Sequence, residues 1–305
     1  MASGSKKVIY AALIGNGLIA ITKFIAATIT GSSAMMSEGV HSLVDTGNQV
    51  LLLYGLKKSA LPPDDQYPFG HGKEIYFWSF IVAILIFAVG AGISIYEGVH
   101  HILHPSEISD PTINYIVLSL AIIFEGGALY FAVTEFNKAR GKMSALRAVR
   151  QGKDPTLFVV LFEDSAAMAG LVIAFIGIYL AQVTGIAIFD GIASVLIGCI
   201  LAITAFWLAY ETKSLLIGEP AEPEIVAGIQ AIIDKKPGVR KANEILTLHM
   251  GPEFILANIS VEFANGQKTG ELEKLISDLS HEIRSTYPIV KRVFLEAEDH
   301  NPEID

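Results

Sequence analysis

Residues 37–49 read Ser-Glu-Gly-Val-His-Ser-Leu-Val-Asp-Thr-Gly-Asn-Gln and lie within an apolar run at 34–56. An apolar run of about 20 residues is typical of a helix that spans a bilayer. On a helix, four of the polar side chains of this run share one face at i, i+3, i+7 and i+10: Glu38, His41, Asp45 and Asn48. Because ionisable groups at membrane depth are costly and usually functional, the run predicts a membrane helix that carries a polar site.

Further apolar runs bring the number of predicted spans to six: 8–29, 34–56, 75–98, 113–136, 157–182 and 189–211. The chain of 305 residues is 52% hydrophobic and 17% charged, whereas soluble proteins are about 25% charged. Charged residues are more frequent after residue 212. The sequence therefore predicts a membrane α-helical domain of six transmembrane helices at 1–212 and a cytoplasmic α+β domain at 213–305.

Lysine and arginine are distributed unevenly among the predicted loops. They occur before the first span and in the loops after the second and fourth spans, whereas 99–112 and 183–188 contain none. Loops on the cytoplasmic side carry the excess of these residues. With an even number of spans, both termini are predicted to face the cytoplasm, in a cell inner membrane or, in a eukaryote, in an organelle membrane.

The polar residues of two spans predict a site for a divalent cation. His41 and Asp45 are i, i+4 neighbours, with Cβ atoms about 5–6 Å apart on a helix, so both can bind one ion. The fifth span adds the adjacent acids Glu163 and Asp164, whose side chains point about 100° apart. Zinc takes about four ligands, so His41, Asp45 and Asp164 are the predicted ligands and Glu163 is the candidate for a fourth. The alternative is a hydrogen-bonded seam between helices that needs no metal.

Three further ionisable residues inside the predicted spans have a predicted role. Lys23 in the first span is predicted to pair with an acid such as Glu38 or to extend its ammonium group to the interface. For Glu125 in the fourth span, a buried salt bridge to Lys23 and a proton relay are both open. Asp190, at the outer end of the sixth span, is predicted to be a helix cap.

The hydrophobic pattern after residue 213 is that of a small soluble domain. Two helices are predicted from apolar residues at helical spacing, and three strands at 244–250, 254–263 and 291–297. The order α-β-β-α-β predicts a ferredoxin-like α+β domain with both helices on one face of the sheet. Pairing such a sheet across a two-fold axis is one way to build a homodimer.

Composition and motifs argue against other classes of protein. The net charge of −9 gives no reason to expect nucleic-acid binding. Cys199 is the only cysteine, which excludes a disulfide framework and a thiolate metal cluster. The tail shows no nucleophile–base motif, and the polar groups within the spans are ligand-like acids, so an enzyme is not expected.

Three motifs identify a resemblance to a known family: His-Ser-Leu-Val-Asp at 41–45, Tyr-Pro-Phe-Gly-His-Gly-Lys-Glu at 67–74, and Glu-Gly-Val-His-His-Ile-Leu-His-Pro at 97–105. With them the chain resembles the cation diffusion facilitators over nearly its whole length. The resemblance implies a dimeric transporter that exchanges zinc or a related divalent ion for protons.

The chain departs from the family pattern at several ligand positions. Val160 stands where the fifth span usually carries a histidine four residues before Asp164, and Glu163 is extra, which resembles the branch that contains a mitochondrial zinc transporter of animals. The loop site common in bacterial members is reduced to Asp64 and His71, since Tyr67 replaces a histidine. In the tail, other residues stand near the positions of the family's zinc ligands: Asn243, Glu296 and Glu298. Little bound metal is therefore expected in the tail.

Together, the residues and the resemblance predict a homodimeric zinc efflux transporter that works as a proton antiporter. His41 is the predicted proton carrier, because an unperturbed imidazole has a pKa of about 6.5 and must be neutral to bind a metal. Manganese, iron or cobalt transport is an alternative, since a carboxylate-rich site with one imidazole weakens the preference for zinc. A membrane-anchored metal-binding sensor without transport is the alternative from another class.

Overall fold

The computed structural model describes residues 3–105, 110–141, 144, 145, 148 and 152–298. They form two compact units. The first contains the residues up to Lys57 and Ile75–Lys213, and the second contains Lys58–Glu74 and the residues from Ser214 onward. The loop at 58–74 thus belongs to the same compact unit as the tail, whereas the sequence alone predicts one cut at 212/213.

Long helices occupy all six apolar runs of the first unit. They are α1 (Ser3–Thr30), α2 (Ser33–Ser59), α3 (Glu74–Leu85), a π-helical segment (Ile86–Ala91) that continues into α4 (Gly92–Leu103), α5 (Pro111–Arg140), α6 (Pro155–Thr184) and α7 (Ile188–Ile217). Two of the starts have a clear local cause. Asp110 and Asp154 accept hydrogen bonds from the backbone N–H groups of Thr112 and Thr156, and a proline follows each at the first helical position.

Four helical stretches of the described residues are long and apolar enough to cross a membrane: Glu74–Leu103, Pro111–Lys138, Phe158–Thr184 and Ile188–Ile217. A fifth apolar stretch, Asn16–Thr30, is shorter. Helix α2 is 27 residues long, but the polar face formed by Glu38, His41, Asp45 and Asn48 makes it much less apolar than α6 or α7.

Helices α4 and α7 approach each other closely enough that only glycine fits at the contact. A Cβ atom on Gly98 would lie 2.6 Å from the backbone nitrogen of Val195, and one on Gly198 would lie 2.9 Å from the backbone nitrogen of Ile95. Small residues are what allow membrane helices to pack backbone against backbone. The two helices are therefore packed backbone against backbone, and we call them the α4–α7 pair.

The second unit confirms the predicted order α-β-β-α-β. It contains α8 (Pro223–Asp234), β1 (Val239–Gly251), β2 (Phe254–Phe263), α9 (Thr269–Thr286) and β3 (Val290–Ala297). The sheet order is β1-β2-β3, with β1 and β2 antiparallel and β2 and β3 parallel.

One face of this sheet is covered by both helices. Alternate residues of β2 and the apolar stripes of α8 and α9 form one buried core: Ile255, Ala257, Ile259 and Val261 with Ile229, Ile233, Leu279 and Ile283. The opposite face carries exposed apolar side chains. Leu246 and Phe294 are each about half exposed and flank Asn258 on neighbouring strands.

Candidate metal centre

The imidazole and carboxylate predicted on α2 lie side by side. His41 Nδ1 is 3.3 Å from Asp45 Oδ1, and the His41 side chain is almost completely buried. Among the described residues, His41 Nε2 has no hydrogen-bond partner. A buried polar atom without a partner is costly, so this nitrogen is available for a ligand that the protein itself does not supply.

On α6, Glu163 faces α2 and is buried, whereas Asp164 is half-buried. Asn48 Nδ2 donates a 2.7 Å hydrogen bond to Glu163 Oε1, which joins the polar face of α2 to the fifth span. Adjacent residues on a helix point about 100° apart, so the two acids cannot both take this position.

Within the described ranges, no three His, Cys, Asp or Glu side chains come together closely enough to hold a metal ion. The structure brings His41 next to Asp45, and Asn48 next to Glu163, and does not bring Asp164 into a group of three. The four-ligand set of the sequence analysis therefore stays a prediction. Glu125, on α5, is also buried in the same unit.

Lys23 makes the ion pair that the sequence suggested. Its Nζ lies 2.9 Å from Glu38 Oε2 and donates a 2.7 Å hydrogen bond to Ser42 Oγ. Glu38 precedes His41 on α2 and Ser42 follows it, so Lys23 of α1 binds α2 on both sides of the imidazole. Lys23 and Glu38 are both completely buried. The other oxygen of Glu38 lies against Gly170 of α6, where any side chain would collide with it. The role of Ser42 was missed because a serine in an apolar run carries no signal of its partner.

Asp190 is a helix cap, as expected, but the helix that it caps is α2 and not α7, the helix to which it belongs. It lies in the first turn of α7, and its carboxylate accepts hydrogen bonds from the backbone N–H and the hydroxyl of Ser33, at the start of α2, at 2.5 and 3.0 Å. Ser32 Oγ donates a third bond of 2.6 Å, and His101 Nε2 of α4 lies 3.8 Å away. The sequence could not show this, because the partners are more than 150 residues apart.

In the second unit, the loop residues Asp64 and His71 form a pair. Asp64 Oδ2 lies 2.9 Å from His71 Nε2, and Asp64 Oδ1 accepts a 2.7 Å bond from the backbone N–H of Tyr67. The hydrogen bond with His71 and that from Tyr67 lower the pKa of Asp64 below its usual value. The Tyr67 ring packs on the His71 ring with centroids 4.5 Å apart, so it fills space beside this pair.

In the tail, two of the three residues at family ligand positions are engaged in hydrogen bonds. Asn243 Nδ2 donates to Ser260 Oγ at 3.2 Å and to the backbone oxygen of Glu298 at 3.1 Å, and the Ser260 hydroxyl donates to the Glu298 carboxylate. Glu296 is exposed on β3. Ser260, which was not singled out in the sequence, connects Asn243 to Glu298 in this polar cluster.

Comparison with known proteins places these features in a family context. The model of the cation efflux transmembrane domain matches residues 9–217. The human proton-coupled zinc antiporter SLC30A9, which is mitochondrial, is 36% identical over 262 residues, which cover 85% of this chain and 46% of that protein. Metal tolerance protein C4 of Arabidopsis thaliana is 31% identical over 86% of this chain and 58% of its own length.

A bacterial relative is more distant but similar in length. The manganese efflux system protein MneP of Bacillus subtilis is 24% identical, and the match covers 97% of this chain and 94% of that protein. The chain spans about half the length of the zinc antiporters that it matches.

Proposed function

The chain belongs to the cation efflux family, and we propose that it carries a divalent metal ion, zinc, out of the cytoplasm in exchange for protons. The family consists of transporters rather than enzymes. In the proposed arrangement all six long helices cross the membrane and both termini face the cytoplasm. The membrane is a cell inner membrane or, in a eukaryotic cell, an organelle membrane.

One observation supports this proposal above the others. The buried imidazole of His41 lies beside Asp45, and neither of its nitrogens has a hydrogen-bond partner among the described residues. A seam that only joins helices would satisfy its own polar atoms, since unpaired groups inside a membrane are expensive. A cation bound by an imidazole nitrogen and by nearby carboxylates would give these buried polar atoms a partner. Asp164 and Glu163 are the acids proposed to complete the ligand set.

The composition of the site bears on the choice of metal. Imidazole nitrogen favours zinc and cobalt over manganese and iron, and carboxylates favour harder ions such as manganese. A site with one imidazole and several acids is compatible with either group. We propose zinc as the substrate because the more similar relatives are named zinc antiporters, and manganese is the second candidate because MneP is named for manganese efflux.

His41 is the proposed proton carrier. A metal and a proton compete for the same imidazole nitrogen, so protonation from the more acidic side would help to release the ion there. The competing proposal is that carboxylates alone carry the protons. The pH dependence of transport distinguishes the two.

The decisive experiment is metal flux into sealed vesicles that contain the purified protein, with a pH gradient of either sign. We expect zinc uptake that follows the gradient and collapses when a protonophore removes it. In His41→Asp we expect the pH dependence near neutrality to be lost or strongly shifted, because the imidazole that titrates there is gone. An unchanged pH profile in an active His41→Asp variant would assign the proton to an acid, and zinc binding without flux would favour a sensor.

We also propose that the chain is a homodimer whose tails pair without zinc. The supporting feature is the sheet face that carries the half-exposed Leu246 and Phe294. Arg292, Phe294 and Glu296 are alternate residues of β3 and therefore lie on the same face of the sheet. A two-fold axis near Phe294 would place Arg292 of one tail opposite Glu296 of the other.

The isolated fragment 213–305 is therefore expected to fold and dimerise in the presence of a chelator. Phe294→Asp should make it monomeric, because a carboxylate would be buried at the centre of the interface. Lys274→Asp, on an exposed position of α9, is the matched control and should leave the dimer intact. Sedimentation velocity measures the outcome. A dimer that forms only with stoichiometric zinc, or that survives Phe294→Asp, would contradict the proposal.

A further inference from the structure

The outer end of α2, where the turn from α1 leads into it, is packed much more closely than the opposite end. Between residues 33 and 44 nearly every position is buried, whereas from 45 to 59 only Asn48, Leu52 and Gly55 are buried. The close packing therefore ends at the level of the His41–Asp45 pair. On the outer side of this pair, the described residues of α2 are closely packed against their neighbours.

The carboxylate of Asp190 holds this closely packed end. It is completely buried and accepts three hydrogen bonds of 3.0 Å or less from Ser32 and Ser33. Helix α2 already has a cap of its own, since Ser32 Oγ accepts a 3.1 Å bond from the backbone N–H of Met35. Asp190 therefore does more than cap α2. Its hydrogen bonds also connect the start of α2 to α7.

A second connection lies one turn deeper. The Ser37 and Ser194 hydroxyls are 2.6 Å apart, and Ser194 Oγ donates a 2.8 Å bond to the backbone oxygen of Ser94. The outer part of α2 is thereby bonded to α7, and Ser194 of α7 is in turn bonded to α4 through Ser94. The middle of α2 is bonded instead to α1 through Lys23 and to α6 through Asn48.

We propose that Asp190 is a positioning residue for transport, which fastens α2 to the α4–α7 pair and so keeps the outer mouth closed. Its anionic carboxylate is suited to this task, because hydrogen bonds to a charged group, here near a helix N-terminus, are stronger than neutral ones. Release of the ion on the outer side then requires these bonds to break. The inference rests on the proposed transport function for its purpose, but not for its test.

The test measures access to a cysteine placed behind this connection. In a Cys199→Ser background, Val40→Cys puts a thiol at a buried position of α2 about two turns inside the bonds of Asp190 and leaves the Ser37–Ser194 bond in place. A membrane-impermeant thiol reagent is added to the side opposite the Lys- and Arg-rich loops, in vesicles of known orientation. We expect almost no labelling with Asp190 present. Asp190→Asn should raise the rate by at least about tenfold, since a hydrogen bond to a charged group shifts an equilibrium by about that factor or more.

Asp110→Asn is the matched control, because Asp110 also begins a helix on the outer side but, among the described residues, bonds only within its own α5. It should leave the labelling rate unchanged. If Asp190→Asn folds poorly, Ser33→Ala removes one of the three bonds and should give a smaller increase. Unchanged labelling in the folded variants, with only a lower melting temperature, would overturn the proposal and leave Asp190 a purely structural cap. The readout needs no metal flux, so its failure is distinct from a failure of the proposed transport.

Discussion

Asp45→Ala and Asp164→Ala are each expected to abolish zinc transport while the protein remains folded. Each substitution removes one anionic ligand from a site of about four, and the ion would then be left with too few donors and an uncompensated charge in the membrane. Even residues that only support metal ligands cost about 10–100-fold in metal affinity when they are replaced, so a larger loss is expected here. Flux into vesicles and a zinc-binding titration measure the two effects.

Ser165→Ala is the matched control for the fifth span. Ser165 follows Asp164 directly and is exposed. In the part of the chain that the structure describes, it bonds only to the backbone oxygen of Leu161 within its own helix, so its replacement should leave flux intact. Near-normal flux in Asp164→Ala would remove that residue from the ligand set. A loss in Glu163→Ala would then assign the fifth-span ligand to the acid that Asn48 contacts.

Local patterns of the sequence predicted the helices and strands well. Runs of apolar residues mark the long helices of the first unit, and alternation along β2 marks the strand whose inward residues form the core with α8 and α9. The bounds differ mostly at the ends, where β1 begins at Val239 instead of 244. Helical spacing also placed His41 next to Asp45, because an i, i+4 relation depends only on the helix itself.

Contacts between distant helices were predictable only where charge restricted the choice. Lys23 needed an acid, and few acids lie in the spans, so Glu38 could be suggested from the sequence. Asn48 and Ser42 are neutral and could bond to many partners, so their contacts with Glu163 and Lys23 required the structure. Whether Asp164 turns toward the same ion as His41 depends on how α6 is rotated against α2. No periodicity within one helix contains that information.

Lys23→Met is expected to destabilise the protein strongly, although it replaces a charged side chain by an apolar one of similar length. The ammonium group is the partner of Glu38 in a completely buried ion pair, and its removal leaves a carboxylate with no compensating charge against Gly170. Breaking one side of a buried pair costs about 3–5 kcal/mol. At about 2–4 °C for each kcal/mol, the melting temperature in detergent should fall by about 10 °C.

The double variant Lys23→Met with Glu38→Gln should recover most of this loss, because it removes both charges, and replacing a whole buried pair is often nearly neutral. The cycle of single and double variants therefore isolates the coupling of the two residues from the effect of each alone. Zinc affinity should follow the same order, since Glu38 and Ser42 lie on either side of His41 and their bonds to Lys23 fix the part of α2 that carries the imidazole. A Lys23→Met variant as stable as the parent would contradict this expectation. The ion pair would then contribute nothing to holding His41 in place.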